Sequence, residues 1–267
     1  MTDLPDVIVP ARFCGPPSSG NGGWSAGALA ALAGAERPDP STGSHRDHAR
    51  PWPTVTVSLL APPPLDTAMD VQPADDGGVV ASYDGRPVLR AQCSHEPLSD
   101  VAPVPAADAR AATASYHGHR SHPFPTCFAC GTGRAEGDGL RIFPGRVADH
   151  DGLARVAATW TPDRSVAEDY HSYADGRPRA SIPVTWAALD CVGGWAGDLE
   201  ERLMVLARMS ARIDSLPEIG EEHVVVGLGR GREGRKAWTS ATLYDADGRI
   251  VGTADHLWVE VDPADFA

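Results

Sequence analysis

The chain has 267 residues, is 42% hydrophobic and 22% charged, and holds 28 Gly and 24 Pro, a length that suits one large domain or, better, two of ~130 residues. Its 23 Lys+Arg against 36 Asp+Glu leave a net charge of −13 spread along the chain. That excludes the basic stripe a nucleic-acid protein needs to displace counterions from phosphate, but leaves room for an anionic small ligand held by one or two arginines. No run approaches the ~20 apolar residues of a membrane span. The segment Met1 to Pro10 carries Asp3 and Asp6 and no basic n-region, so it does not read as a signal peptide. Five cysteines without a dense framework fit a reducing interior, and a cytoplasmic protein with neither nucleic-acid nor membrane partner is expected.

Three blocks follow: a first unit over 1–98, a connector over 99–145 and a second unit over 146–267. In chain order, Val7-Ile8-Val9 is a short strand that stops at Pro10. The turn Gly20-Asn21-Gly22-Gly23 leads into 24–33, an alanine-rich stretch with almost no polar face, hence a buried helix. Ser, Asp, His and Pro fill a loop over 36–53. Residues 54–60 alternate β-branched and small side chains before Pro62-Pro63-Pro64 ends the strand. Residues 79–83 and 86–93, joined by Asp84-Gly85, read as a hairpin. The connector is Pro-rich, with a short helical piece over 106–115 and then a His/Cys/Gly loop, and is too long for an ordinary connection.

Beyond it, 153–160 reads as a strand and 182–193 as a second buried helix bearing one carboxylate, Asp190. Strands are expected over 203–213, 223–229, 237–244 and 250–261, the last two joined by Asp245-Ala246-Asp247-Gly248. Tyr83-Asp84-Gly85-Arg86-Pro87-Val88-Leu89 is echoed by Asp247-Gly248-Arg249-Ile250-Val251, preceded by Tyr244. Strand, apolar helix and several antiparallel strands thus form one α+β unit used twice, since a helix that is apolar all round needs a sheet wrapped about it.

This order, with Asn21-Gly22-Gly23 at a helix start, Asp190 in the second helix and Asp247-Gly248-Arg249 in a hairpin, resembles the hotdog fold. The whole chain is similar to a double hotdog, as in acyl-CoA thioesterases with two fused copies. The string His122-Pro123-Phe124-Pro125-Thr126-Cys127-Phe128-Ala129-Cys130-Gly131 resembles a segment of actinobacterial hotdog proteins. The resemblance implies two tandem hotdog units, each an antiparallel sheet around a central helix, a fused chain able to form a homodimer, and an acyl-CoA or related acyl thioester as ligand, with no cofactor. It further implies a site between the units, with a helix N-terminus polarising the thioester carbonyl and an acid from the other helix. The chemistry agrees: an oxyanion needs unpaired N–H groups, and water needs a carboxylate base, or the ester a nucleophile.

The halves divide these parts unequally. The first has no Asp or Glu from Asn21 through Ala35, and the second opens with Ile182-Pro183-Val184, where proline has no N–H. One composite catalytic site is therefore expected from Gly22, Gly23 and Asp190, with Asn21, Trp24 and Trp186 binding substrate, and the reciprocal site dead. Two other readings of the ligand site remain: a non-catalytic acyl-thioester binder, and a hydratase or dehydratase, which normally pairs an acid with a histidine.

Each residue also has a plainer reading. Asp190 can be a buried carboxylate that caps a loop or pairs with an arginine. Gly22 and Gly23 can be turn chemistry, and Asn21 an N-cap. Cys127-x-x-Cys130 with His117, His119 and His122 suits zinc by softness and spacing, but there is no second such pair, and Cys14, Cys93 and Cys191 are scattered. Loop cysteines and no metal are expected. Gly227-Leu228-Gly229-Arg230-Gly231 lacks the third glycine of a dinucleotide fingerprint, and neither a phosphate loop nor a nucleophile elbow is present. Arg230, Arg232, Arg235 and Lys236 read as a solvated hairpin tip, with a CoA phosphate as the other occupant. His256 shares a strand face with Ala254 and Trp258 and reads as packed.

Overall fold

The computed structural model describes residues 4–33, 52–168, 176–262 and 264. The first group of strands is β1 (Val7–Ile8), β2 (Val55–Leu59), β3 (Ala68–Pro73), β4 (Val79–Tyr83) and β5 (Arg86–Cys93). The second is β6 (Gly145–His150), β7 (Leu153–Trp160), β8 (Met204–Ile213), β9 (His223–Glu233), β10 (Lys236–Tyr244) and β11 (Ile250–Glu260). They form one sheet in the order β1-β3-β4-β5-β2-β8-β11-β10-β9-β7-β6, antiparallel at each step. Strands that precede the connector occupy one half and those that follow it the other. The halves meet where β2 pairs with β8, Val57 opposite Met209 and Val55 opposite Ala211, all buried. On the other face of that seam Thr56 and Ser210 share a hydroxyl hydrogen bond of 2.7 Å, the kind of cross-strand pair that holds register.

Two helices, α1 (Gly22–Ala33) and α3 (Ile182–Ala196), pack on each other and on the sheet, while a short α2 (Ala106–Ala112) lies in the connector. Asn21 caps α1, its Oδ1 accepting the Trp24 N–H at 2.8 Å, and Ser181 caps α3 through Val184 N–H at 3.4 Å. Small residues let the two backbones approach. A Cβ on Gly23 would lie 2.5 Å from Asp190 Cβ, and one on Gly27 would lie 2.8 Å from Pro183 Cα. Every described α3 residue except Pro183 is buried, which explains why the segment carries no polar face.

A second, smaller core lies where Val224, Val226 and Leu228 of β9 meet Val101, Val104 and Ala109 of the connector. Strand alternation turns these β9 side chains away from Val225, which belongs to the main core. The start of the connector is thus pinned to the sheet, with Val101 N–H donating to Thr242 Oγ1 at 2.9 Å and Tyr244 OH to the Val101 carbonyl. Its later part meets the segment that precedes α1, where Arg12 donates to the carbonyls of Gly137 and Asp138, and Arg12 also donates to that of Ser165, beyond β7.

The structure adds two strands to the sequence reading, β3 and β6. In β3 only Met69 and Val71 are buried, so Asp70, Gln72 and Pro73 hide the alternation in composition. The two Asp-Gly turns differ. Asp84 and Gly85 both have positive φ (49° and 71°), as a two-residue primed turn requires. At the second, Gly248 is left-handed (φ 78°) and Asp245 holds the turn by accepting from the N–H groups of Asp247 and Arg249. The loop expected over 36–53 lies outside the described residues except for Trp52 and Pro53. Among the described residues no helix is long and apolar enough to cross a membrane.

His256 on β11 is 3% exposed, its Nδ1 sharing a hydrogen bond of 3.2 Å with Thr239 Oγ1, an oxygen that also accepts from Trp258 Nε1 at 3.1 Å. Burial pushes its imidazole down to about 4, against about 6.5 in an unfolded chain. Between those values the unfolded chain binds a proton that the folded chain refuses. Stability is therefore full above about pH 6.5 and falls as pH drops toward 4, by about 3 kcal/mol in all. Urea unfolding at pH 7 and pH 5 should show this loss, and His256→Gln should reduce it. An unchanged pH dependence in the variant would remove His256 from the account.

Candidate active site

Asn21 and Gly23, at the start of α1, meet Asp190 in the middle of α3. Gly23 N–H donates to Asp190 Oδ2 at 2.8 Å and Asn21 Nδ2 donates to the same oxygen at 3.1 Å. Asp190 is 2% exposed, and its Oδ1 has no hydrogen-bond partner among the described residues. Burial pushes the carboxyl up to about 7; the Gly23 N–H opposes this, the nearby Cys127 sulfur adds to it and the Asn21 amide opposes it. A carboxylate held by a helix N-terminus of the other half, with one oxygen left over, is equipped to take a proton from a bound water.

Asn21 and Asp190 sit at the polar end of a cavity of about 360 Å³, which Gly23 itself does not line, within the size range of small-molecule sites. Leu59, Met204, Leu206 and Trp258 line its apolar walls, and Asn21, Gly22, Asp190, His122, Cys127, Cys130 and Cys191 its polar end. Gly22 N–H has no hydrogen-bond partner among the described residues, and as the first residue of the helix it is one of the groups the helix leaves unpaired. The amide expected from Gly23 is different: it is already bonded to Asp190 and orients that carboxylate, so Gly22 is the residue with an amide to offer an oxyanion.

Two sequence expectations are corrected here. Neither Trp24 nor Trp186 lines the cavity. Trp24 stacks on Phe13 with ring centroids 4.4 Å apart, and Trp186, 2% exposed, fills the helix crossing beside Gly27. Nor is Cys191 remote from the Cys-x-x-Cys loop, because its Sγ lies 3.6 Å from that of Cys127. Cys130 Sγ in turn lies 3.4 Å from His122 Nε2. The Cys127 thiol is held well below the usual thiol range by hydrogen bonds from Cys130 and Cys191, while burial pushes Cys130 up and the bonds it gives Cys127 push Cys191 up. Sequence reasoning missed this trio because its members come from the connector and a helix 61 positions later (191 − 130).

The arginines named at the β9–β10 turn are engaged locally. Arg230 donates to Ser240 Oγ at 2.9 Å and Arg235 to the Glu260 carbonyl at 2.6 Å.

No protein-family model and no curated protein matches the sequence. Among solved structures, the chain is similar to a protein of unknown function with a hot dog fold from Alicyclobacillus acidocaldarius, at a TM-score of 0.58 and 15% identity over 98% of this chain and 96% of that one. It is also similar to the tesB protein of Mycobacterium avium subspecies paratuberculosis, at 0.54 and 15% over 92% and 89%. A third is the acyl-CoA thioesterase II TesB2 of Mycobacterium marinum, at 0.51 and 11% over 82% and 83%. The chain has a hotdog fold.

Proposed function

We propose that the chain is two hotdog units in tandem and hydrolyses an acyl-CoA or related acyl thioester at one site between the units. The observation that carries this reading is the Asp190 carboxylate gripped by Asn21 and Gly23 of the other half at the polar end of an apolar cavity. Asp190 takes a proton from water, and the resulting hydroxide adds to the thioester carbonyl. Gly22 N–H and the positive end of α1 stabilise the oxyanion. Collapse of the tetrahedral adduct breaks the C–S bond, and the departing thiolate takes back the proton from Asp190. The acyl-CoA thioesterase II among the structural neighbours supports the reaction class.

A single site is favoured by the asymmetry of the helices. Asp190 stands eight residues after the first residue of α3 (190 − 182), and the same offset in α1 (22 + 8) is Ala30. The space beside Ala30 and Ile182 is only about 10 Å³, and Pro183 offers no N–H there. The reciprocal position has neither an acid, nor the amide that would hold one, nor room.

The test is a panel of acyl-CoA esters, short to long and aromatic, with free thiol read by a trapping dye. Release from one class of ester supports hydrolysis and names the acyl group. Saturable binding without release from any ester would make the chain an acyl-thioester binder.

A further inference from the structure

We propose that Cys127, Cys130 and Cys191 form a zinc(II) site that ties the connector to α3, with its fourth coordination position open to the cavity. The three Sγ atoms lie within 4.8 Å of one another, all buried. Cys127 and Cys191 are 3.6 Å apart, close to the roughly 3.8 Å that Zn–S bonds of about 2.3 Å impose across a tetrahedron. All five cysteines are free thiols, so this spacing is not that of a disulfide.

The surroundings are built for sulfur anions. Asn21 Nδ2 lies 3.8 Å from Cys127 Sγ and 3.9 Å from Cys191 Sγ, in donor geometry to both. The loop is folded so tightly that a Cβ on Gly131 would meet the Cys127 and Pro125 carbonyl oxygens at 2.5 Å. Gly131 N–H instead closes the turn onto the Cys127 carbonyl at 2.9 Å, which brings Cys130 back beside Cys127. Such a turn has little use in an ordinary loop, and here it aims two thiols at a third.

His122 serves the site as an outer partner. Its Nδ1 accepts the Phe124 N–H at 3.0 Å, which leaves the proton on Nε2 to face the Cys130 sulfur and carbonyl at 3.4 and 3.1 Å. A ring in that tautomer donates to a ligand sulfur and does not bind the metal itself. Three soft ligands and no carboxylate or second imidazole select zinc over magnesium or calcium. Binding replaces thiol protons, so protons are released.

The test uses the full chain, reduced and stripped with a chelator. It is titrated with Zn²⁺ against a chromophoric competitor and, separately, with Co²⁺. One zinc per chain is expected, with a Co²⁺ spectrum carrying the charge-transfer intensity of three thiolates and the strong visible bands of a tetrahedral site. Cys130→Ser and Cys191→Ser should each weaken zinc by roughly 100-fold and His122→Ala by roughly 10-fold, while Cys93→Ser, an exposed thiol, should leave it within twofold. If a serine variant does not fold, the Co²⁺ spectrum of the native chain still decides, because its sulfur intensity counts the ligands. A spectrum without sulfur charge transfer, zinc binding unaffected by Cys191→Ser, or uptake of copper(I) but not zinc would each overturn the proposal. None of these readouts depends on hydrolysis.

Discussion

Asp190→Asn is expected to lower thiol release from the preferred acyl-CoA by about 10²–10⁴-fold, the usual worth of a positioned general base. Asparagine is nearly isosteric, and its side-chain oxygen still accepts the Gly23 N–H that the carboxylate now accepts at 2.8 Å. The variant therefore keeps the helix crossing intact, and ester binding should remain within a few-fold of the parent. It also replaces a buried carboxylate, disfavoured by burial, with a neutral amide, so its thermal midpoint should be unchanged or higher. Asp190→Leu is the contrast. It strands the Gly23 N–H in the interior and leaves the Asn21 amide only its long contacts to the Cys127 and Cys191 sulfurs, and should cost about 1–3 kcal/mol for the donor left unpaired. Single-turnover hydrolysis with calorimetric binding to both variants separates the roles. Release by Asp190→Asn at the parental rate would end the general-base assignment.

The second large effect belongs to the helix crossing. Gly27→Val should destabilise the chain by about 3 kcal/mol or more, the upper range for forcing atoms into a packed interior. Its Cβ would lie 2.8 Å from Pro183 Cα and 2.8 Å from Trp186 Cβ, and the Pro183 contact is backbone, which cannot swing aside. At roughly 2–4 °C per kcal/mol in a chain of this size, the thermal midpoint should fall by about 6–12 °C. Gly23→Ala makes the same intrusion at the site itself, 2.5 Å from Asp190 Cβ and 2.8 Å from the Trp186 carbonyl. It should lose stability and hydrolysis together, because separating the helices pulls Asp190 from its donors. A midpoint raised by Gly27→Ala, as the higher helix propensity of alanine alone would give, would show that the helices do not touch there.

Much of the local structure was legible in the chain. The strands 79–83, 86–93 and 153–160 match the observed β4, β5 and β7 end to end, because β-branched runs bounded by Asp-Gly or proline leave few alternatives. Asn21 caps α1 as its side chain suggests. The end of α3 was less legible. The helix continues past its expected end at Gly193, through Gly194 to Ala196. Gly193 is there because a Cβ would lie 2.6 Å from His256 Nδ1. The strand β3 was hidden because only Met69 and Val71 face inward.

The sequence by itself determined that two apolar helices must each be covered by antiparallel strands, and that acid and helix-start glycines fall in different halves. Those are consequences of side-chain chemistry within single segments, where apolar patterning, capping and turn preference act over a few residues. Tertiary structure alone decided which groups meet. It joined β2 to β8, bonded the Gly23 amide to Asp190 and left the Gly22 amide without a partner among the described residues. It sent Trp24 and Trp186 into packing instead of the cavity, and set Cys191 against Cys127. The physical reason is the same in each case. A side chain's chemistry is local, but its partners are chosen by the close approach of two helices held by strands remote in sequence, and no segment carries that distance in its own residues.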